Sequence, residues 1–170
     1  MKPNLTQDRL RELLLYDAET GIFTRRIKTG RVLVGDVAGS LHQKGYREIK
    51  VDYKHYFAHR LAWFYVHGVW PKDQIDHING VKDDNRICNL REATNAENNQ
   101  NQRKASRNSR SGLLGVCTSN NRKPRAMIRF NGKRLYIGTF DTPELAHAAY
   151  LVAKEKLHPF ARPDTEGSGK

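Results

Sequence analysis

The apolar positions change period along the chain, and those changes predict its elements. Leu10, Leu13 and Leu14 recur at helical spacing after Thr6, a residue suited to capping, so a short helix is expected over residues 4–16. Asp17-Ala18-Glu19-Thr20-Gly21 reads as a turn. Ile22-Phe23-Thr24 then begins a set of short strands punctuated by Gly30, Gly35, Gly39 and Gly45. Tyr46–Val51 carries strand patterning and leads into a hairpin turn over Asp52-Tyr53-Lys54-His55. From Ala58 the run AHRLAWFYVHG predicts a buried helix, stopped by Gly68 with Pro71 beyond it. Ile75-Asp76-His77-Ile78 is a short strand, Asn79 to Asn89 a polar loop, and Leu90–Ala93 the returning strand. Thr94 stands three residues before Glu97, the spacing of a capping box, so a helix is expected from Asn95 to about Gln102.

The stretch from Arg103 to Gly112 is rich in Ser, Arg and Asn and has no apolar period, which marks it as a linker. A second unit follows. Leu114–Thr118, Ala126–Phe130 and Lys133–Ile137 are expected strands, the last two joined by an Asn131-Gly132 hairpin. Thr142-Pro143-Glu144 opens a helix whose apolar stripe is expected at Leu145, Ala149 and Val152. The organisation is α+β. It comprises residues 1–102, a basic linker at 103–111, a three-stranded sheet with a helix at 112–160, and a flexible tail at 161–170.

Composition adds a partner. The 170-residue chain has a formal net charge of +12, which calls for a polyanion. No apolar run approaches the roughly 20 residues of a spanning helix, and the acidic residues near the start exclude a signal-peptide core. A cytoplasmic protein with no membrane partner is therefore expected. Cys88 and Cys117 are far apart, without CxxC spacing, and offer neither a disulfide framework nor a zinc site. Between Asn98 and Phe140 there is no Asp or Glu, while Arg103, Lys104, Arg107, Arg110, Arg122, Lys123, Arg125, Arg129, Lys133 and Arg134 all fall there. An acid-free basic stretch of this kind binds phosphates with release of counterions, so double-stranded DNA is the expected partner. The oligomeric state is not fixed by the sequence, with a monomer preferred.

Candidate chemistry centres on Asp76-His77, with Asn89 twelve residues on and Asn98 nine beyond that. A carboxylate and an amide oxygen are hard ligands for a divalent cation, and a histidine is the natural base for water near neutral pH. An Asp-His pair by itself is common, however, and the asparagines around it read equally well as ordinary loop and helix-surface residues.

The run AHRLAWFYVHGVWPKDQIDHINGVKDDNRICNLREATNAEN adds to that reading. It resembles the HNH homing-type endonucleases of phages, in the order H-R-L, D-H-I-N-G, N-x-x-x-N-L and a following helix, from His59 through Asn98. The resemblance implies a ββα-metal active site. In it Asp76 and Asn98 would be metal ligands, His77 the general base and Asn89 its orienter, with a cation stabilising the leaving 3′ oxygen. Asn98 stands where many members carry His, which favours Mg²⁺ or Mn²⁺ over zinc. His59, Arg86 and Arg91 are possible phosphate contacts. The run from Ser111 to His158 resembles an AP2 domain, through its G-V strand, N-G-K-R hairpin, G-T-F-D-T-P-E and A-x-x-A-Y helix. That family reads DNA with its sheet, but Pro124 and Leu114 depart from its usual Trp and Arg. The expected function is metal-dependent DNA cleavage, as a nick or a double-strand break. The alternatives are a non-catalytic AP2-type regulator and a nuclease for RNA or junctions.

Overall fold

The computed structural model describes residues 5–102, 104–120 and 122–161, so Arg103 and nearly all of the expected tail lie outside the described residues. The chain forms two compact units, Met1–Ala93 and Thr94–Lys170. The division falls earlier than the expected boundary at residue 102 and assigns the helix after Thr94 to the second unit.

In the first unit, Thr6 caps α1 (Gln7–Leu13) by accepting from the Arg9 amide at 3.2 Å, but the helix stops before the expected residue 16. Leu14–Tyr16 instead forms β1, antiparallel to β2 (Phe23–Arg25), around the Asp17–Gly21 turn. The three leucines bury either way. What helical periodicity misses is Tyr16, whose ring packs on Phe23 at 4.8 Å between centroids when the backbone is extended. β3 (Ser40–Leu41), β4 (Arg47–Val51) and β5 (Lys54–Phe57) form an antiparallel meander, with a tight turn at Asp52-Tyr53 in which both residues have positive φ. α2 (Ala58–His67) ends as expected on Gly68 at φ 72° and buries Ala58, His59, Leu61, Ala62 and Phe64. The apolar residues among these join Leu10, Leu14, Phe23 and Ile49 in one core, with Trp70 stacked on Phe64. The hairpin β6 (Gln74–His77) and β7 (Leu90–Ala93) adds Ile75 and Leu90 to that core.

In the second unit, Thr94 and Glu97 form a full capping box on α3 (Asn95–Gln100). β8 (Val116–Ser119), β9 (Arg122–Phe130) and β10 (Lys133–Thr139) follow in a three-stranded antiparallel sheet. α4 (Pro143–Leu157) packs on it through Ala146 and Tyr150 against Ala126 and Ile128. The expected stripe is corrected: Leu145 and Val152 are exposed, and the buried positions, Ala146, Tyr150 and Lys154, lie one or two residues later in the helix. The reason is Gly115, which leaves the Tyr150 ring no neighbouring Cβ and so sets which face of α4 meets the sheet. No helix among the described residues is long and apolar enough to cross a membrane.

Two expectations about stability follow. Gly21 has φ 73°, and a Cβ there would press into the backbone of Asn85 and Arg86. Gly21→Ala is expected to cost at least about 2 kcal/mol, combining the left-handed penalty with a backbone clash that cannot rotate away. A urea midpoint equal to wild type would refute this. His59 is 7% exposed and burial pushes its pKa down to about 3, helped by the neighbouring His77 and Arg60. An unfolded histidine titrates near about 6.5, so below that pH the unfolded chain binds a proton that the folded chain refuses. Stability is therefore lost as pH falls, by at most about 1.4 kcal/mol per unit for this group. His59→Phe is expected to make the fall in urea midpoint between pH 7 and 5 shallower than in wild type.

Candidate active site

The antiparallel register of β6 and β7 sets Asp76 opposite Arg91 and His77 opposite Leu90. Residues opposite each other share a face of a ladder, so the guanidinium lies over the carboxylate. Arg91 donates from Nε at 3.0 Å and from Nη2 at 2.7 Å, both to Asp76 Oδ2. The Asp76 side chain is only 6% exposed, so this pair holds a buried charge that would be costly without its partner.

His77, at the end of β6, is 5% exposed. Its Nε2 lies 3.2 Å from Asn85 Oδ1. The rings of His59 and Tyr46 pack around it, at 5.1 and 6.0 Å between centroids. Burial pushes the His77 pKa below the ordinary value, while the Asn85 contact and the carboxylates of Asp76, Asp84 and Asp83 pull it upward. The imidazole is therefore neutral at physiological pH, the form that can accept a proton.

The loop between the strands is built by its own polar side chains. Asn89 Oδ1 accepts from the Asn79 amide at 2.9 Å, and its Nδ2 donates to Asn79 Oδ1 and to the Asp84 carbonyl. Asn79 in turn donates to Asp84 Oδ2 at 2.6 Å, and Arg86 forms an ion pair with Asp84. Asn89 was expected to orient His77. Its amide instead closes the loop, and the amide facing the imidazole is that of Asn85. Both asparagines belong to the same N-x-x-x-N stretch, and spacing alone does not separate them.

The other expected residues fall as follows. His59 is buried beneath Tyr46 and stacked on Phe57, with its Nδ1 unpartnered, so the ring supports His77 from inside rather than facing solvent. Arg86 and Arg91 are each committed to a carboxylate, Asp84 and Asp76. Asn98 lies in α3, in the second unit.

In that unit the alternation of β9 sends Ala126 and Ile128 toward α4, and Arg125 and Arg129 to the other face of the sheet. Arg134 lies directly across from Arg129. Among the described residues no carboxylate pairs with these three arginines, whereas Lys123 is tied to Asp141 at 2.6 Å. Arg110 donates to Asn120, Lys133 extends the exposed edge of β10, and Arg122 begins β9. Lys104 and Arg107 lie in the segment before the sheet, whose described residues form no helix or strand.

Among the described residues no group of three His, Cys, Asp or Glu side chains is placed to hold a metal ion. A magnesium-type site does not require one, since such ions keep several waters and take one or two protein oxygens. A buried Asp76 oxygen held in a fixed orientation fits that donor chemistry.

No curated protein and no solved structure matches the chain. A family model does match part of it. Residues 56–100, which run from β5 through α2, the Asp76-His77 hairpin and α3, match the model described as HNH endonuclease, a similarity that supports a nuclease and points to nucleic acid as the substrate.

Proposed function

We propose that the chain is a metal-dependent DNA endonuclease of the homing type, in which the first unit cuts and the second binds. The observation that carries this reading is a buried, neutral His77 beside a carboxylate, with its ring fixed by an amide, inside the HNH-matching segment. In the proposed reaction His77 takes a proton from water, which then attacks the phosphorus in line with the leaving 3′ oxygen. HNH nucleases use a divalent metal. Asp76 and Asn98 are the proposed ligands, with Asn98 assigned on family resemblance, and Mg²⁺ or Mn²⁺ the proposed ion. When bound, it would supply positive charge at the scissile phosphate. Arg91 holds the Asp76 carboxylate in orientation, and Asn89 keeps the loop closed around the pair.

For the second unit we propose an AP2-like DNA-binding role on double-stranded DNA in the cytoplasm. A three-stranded sheet backed by one helix supports it, as do Arg125, Arg129 and Arg134 on the face away from that helix. Placing Arg129 and Arg134 side by side costs stability in the free protein. A polyanion is the partner that turns that cost into affinity.

Two measurements test these readings. Supercoiled plasmid should be nicked in Mg²⁺ or Mn²⁺, not in chelator, and about 10²- to 10⁴-fold more slowly by His77→Ala, the range for loss of a general base. Undiminished nicking by that variant, or none by wild type with any divalent ion, would sink the catalytic proposal; a protein that binds duplex DNA without cutting would be the regulator. The triple change of Arg125, Arg129 and Arg134 to Ala should lower the slope of log K against log salt by about 2 to 3, near 0.9 per lost phosphate contact. An unchanged slope would place the DNA surface elsewhere.

A further inference from the structure

Asn85 is the most deeply buried polar residue of the described chain, 1% exposed, and three separate elements hold it. Tyr16, at the end of β1, donates from its hydroxyl to the Asn85 carbonyl at 2.7 Å across 69 positions of sequence. Gly21, in the turn after β1, lies so close to the Asn85-Arg86 backbone that no Cβ fits. Arg47 of β4 grips Asp83 with two bonds of 2.9 and 2.8 Å, and the Asp83 carbonyl accepts from Asn85 Nδ2 at 3.1 Å.

That last bond decides the chemistry. An amide whose nitrogen donates to a carbonyl must turn its oxygen the other way, and here Oδ1 faces His77 Nε2. An oxygen that can only accept requires a proton on the nitrogen it meets. In the neutral imidazole the proton therefore sits on Nε2 and the lone pair on Nδ1.

We propose that Asn85, fastened from the N-terminal hairpin by Tyr16, is a positioning residue that fixes His77 in the Nε2–H tautomer and so makes Nδ1 the basic atom. The inference rests on the nuclease reading for its consequence in catalysis, but the tautomer stands apart from it. It also gives the N-terminal hairpin a role beyond packing, since Tyr16 and Gly21 hold the loop that addresses the base.

The test pairs nitrogen-15 NMR of the His77 ring at pH 8, assigned by its loss in His77→Ala, with plasmid nicking in Mg²⁺. Wild type is expected to show a protonated Nε2 and a bare Nδ1. Asn85→Asp keeps an acceptor and should hold both the tautomer and a rate within about tenfold of wild type. Asn85→Leu should lose the single tautomer and slow nicking by about 100-fold or more, as expected when a catalytic histidine is left in the wrong tautomer. Tyr16→Phe keeps the ring, removes the strap and should slow nicking several-fold, so the proposal stays testable if Asn85→Leu does not fold. Nicking by a wild type whose His77 carries its proton on Nδ1 would overturn the positioning and leave the nuclease reading intact. So would full activity in both Asn85→Leu and Tyr16→Phe. A wild type with the Nε2–H tautomer and no nicking would support the hydrogen-bond assignment and refute the nuclease.

Discussion

A buried imidazole has to place two ring nitrogens, and the contact between His77 and Asn85 is where the first unit resolves that constraint. The neighbouring His59 shows the alternative. Its Nδ1 has no partner, and burial, reinforced by the neighbouring His77 and Arg60, brings its pKa down to about 3. His77 is as deeply buried, yet Asn85, Asp76, Asp83 and Asp84 all pull against desolvation. One histidine is thereby made an inert packing ring and the other a neutral group with basicity in reserve. The distinction comes from polar groups within reach and not from depth.

Those polar groups are in turn held by backbone geometry. Register puts Arg91 across from Asp76, and the tie between the strands puts the Asn89 amide where it can close the loop. With Asn89 so committed, Asn85 is left to face the imidazole. The two asparagines divide the work: one makes the loop's shape and the other uses that shape to aim an oxygen. Loss of the first would move everything the loop carries, whereas loss of the second would leave the loop standing with a misdirected imidazole.

Much of this was legible in the sequence because local rules fix it. The Thr6 cap, the Thr94-Glu97 capping box, the Gly68 stop and the Asn131-Gly132 hairpin each depend on a few adjacent residues, and each forms as expected. The strands around Asp76-His77 were legible for the same reason, whereas the pair itself stood out only through the family resemblance. What periodicity could not supply were choices made by distant partners. Leu14–Tyr16 extends because Tyr16 reaches Asn85, far along the chain. The buried face of α4 follows the space left by Gly115, not the largest apolar residues of the helix. Asn85 and Asn89 are chemically identical, and only the folded loop tells them apart. A buried asparagine whose backbone oxygen meets a tyrosine from another strand has no signature in spacing.

The two units solve opposite electrostatic problems. In the first, cations are spent on anions: Arg47 on Asp83, Arg86 on Asp84, Arg91 on Asp76. Each pairing orders the loop or the strand beside His77, so charge there serves position. In the second, the acid-free stretch denies Arg125, Arg129 and Arg134 such partners, and the sheet presents them together. Its folding is left to a small core of Ala126, Ile128, Ala146 and Tyr150, and to polar ties such as buried Lys154 donating to the Gln102 carbonyl at 2.8 Å. A core that small tolerates little added repulsion, which sets a limit on how many cations the sheet can carry. On this view a polyanion bound to the arginine face would stabilise the unit as well as being gripped by it.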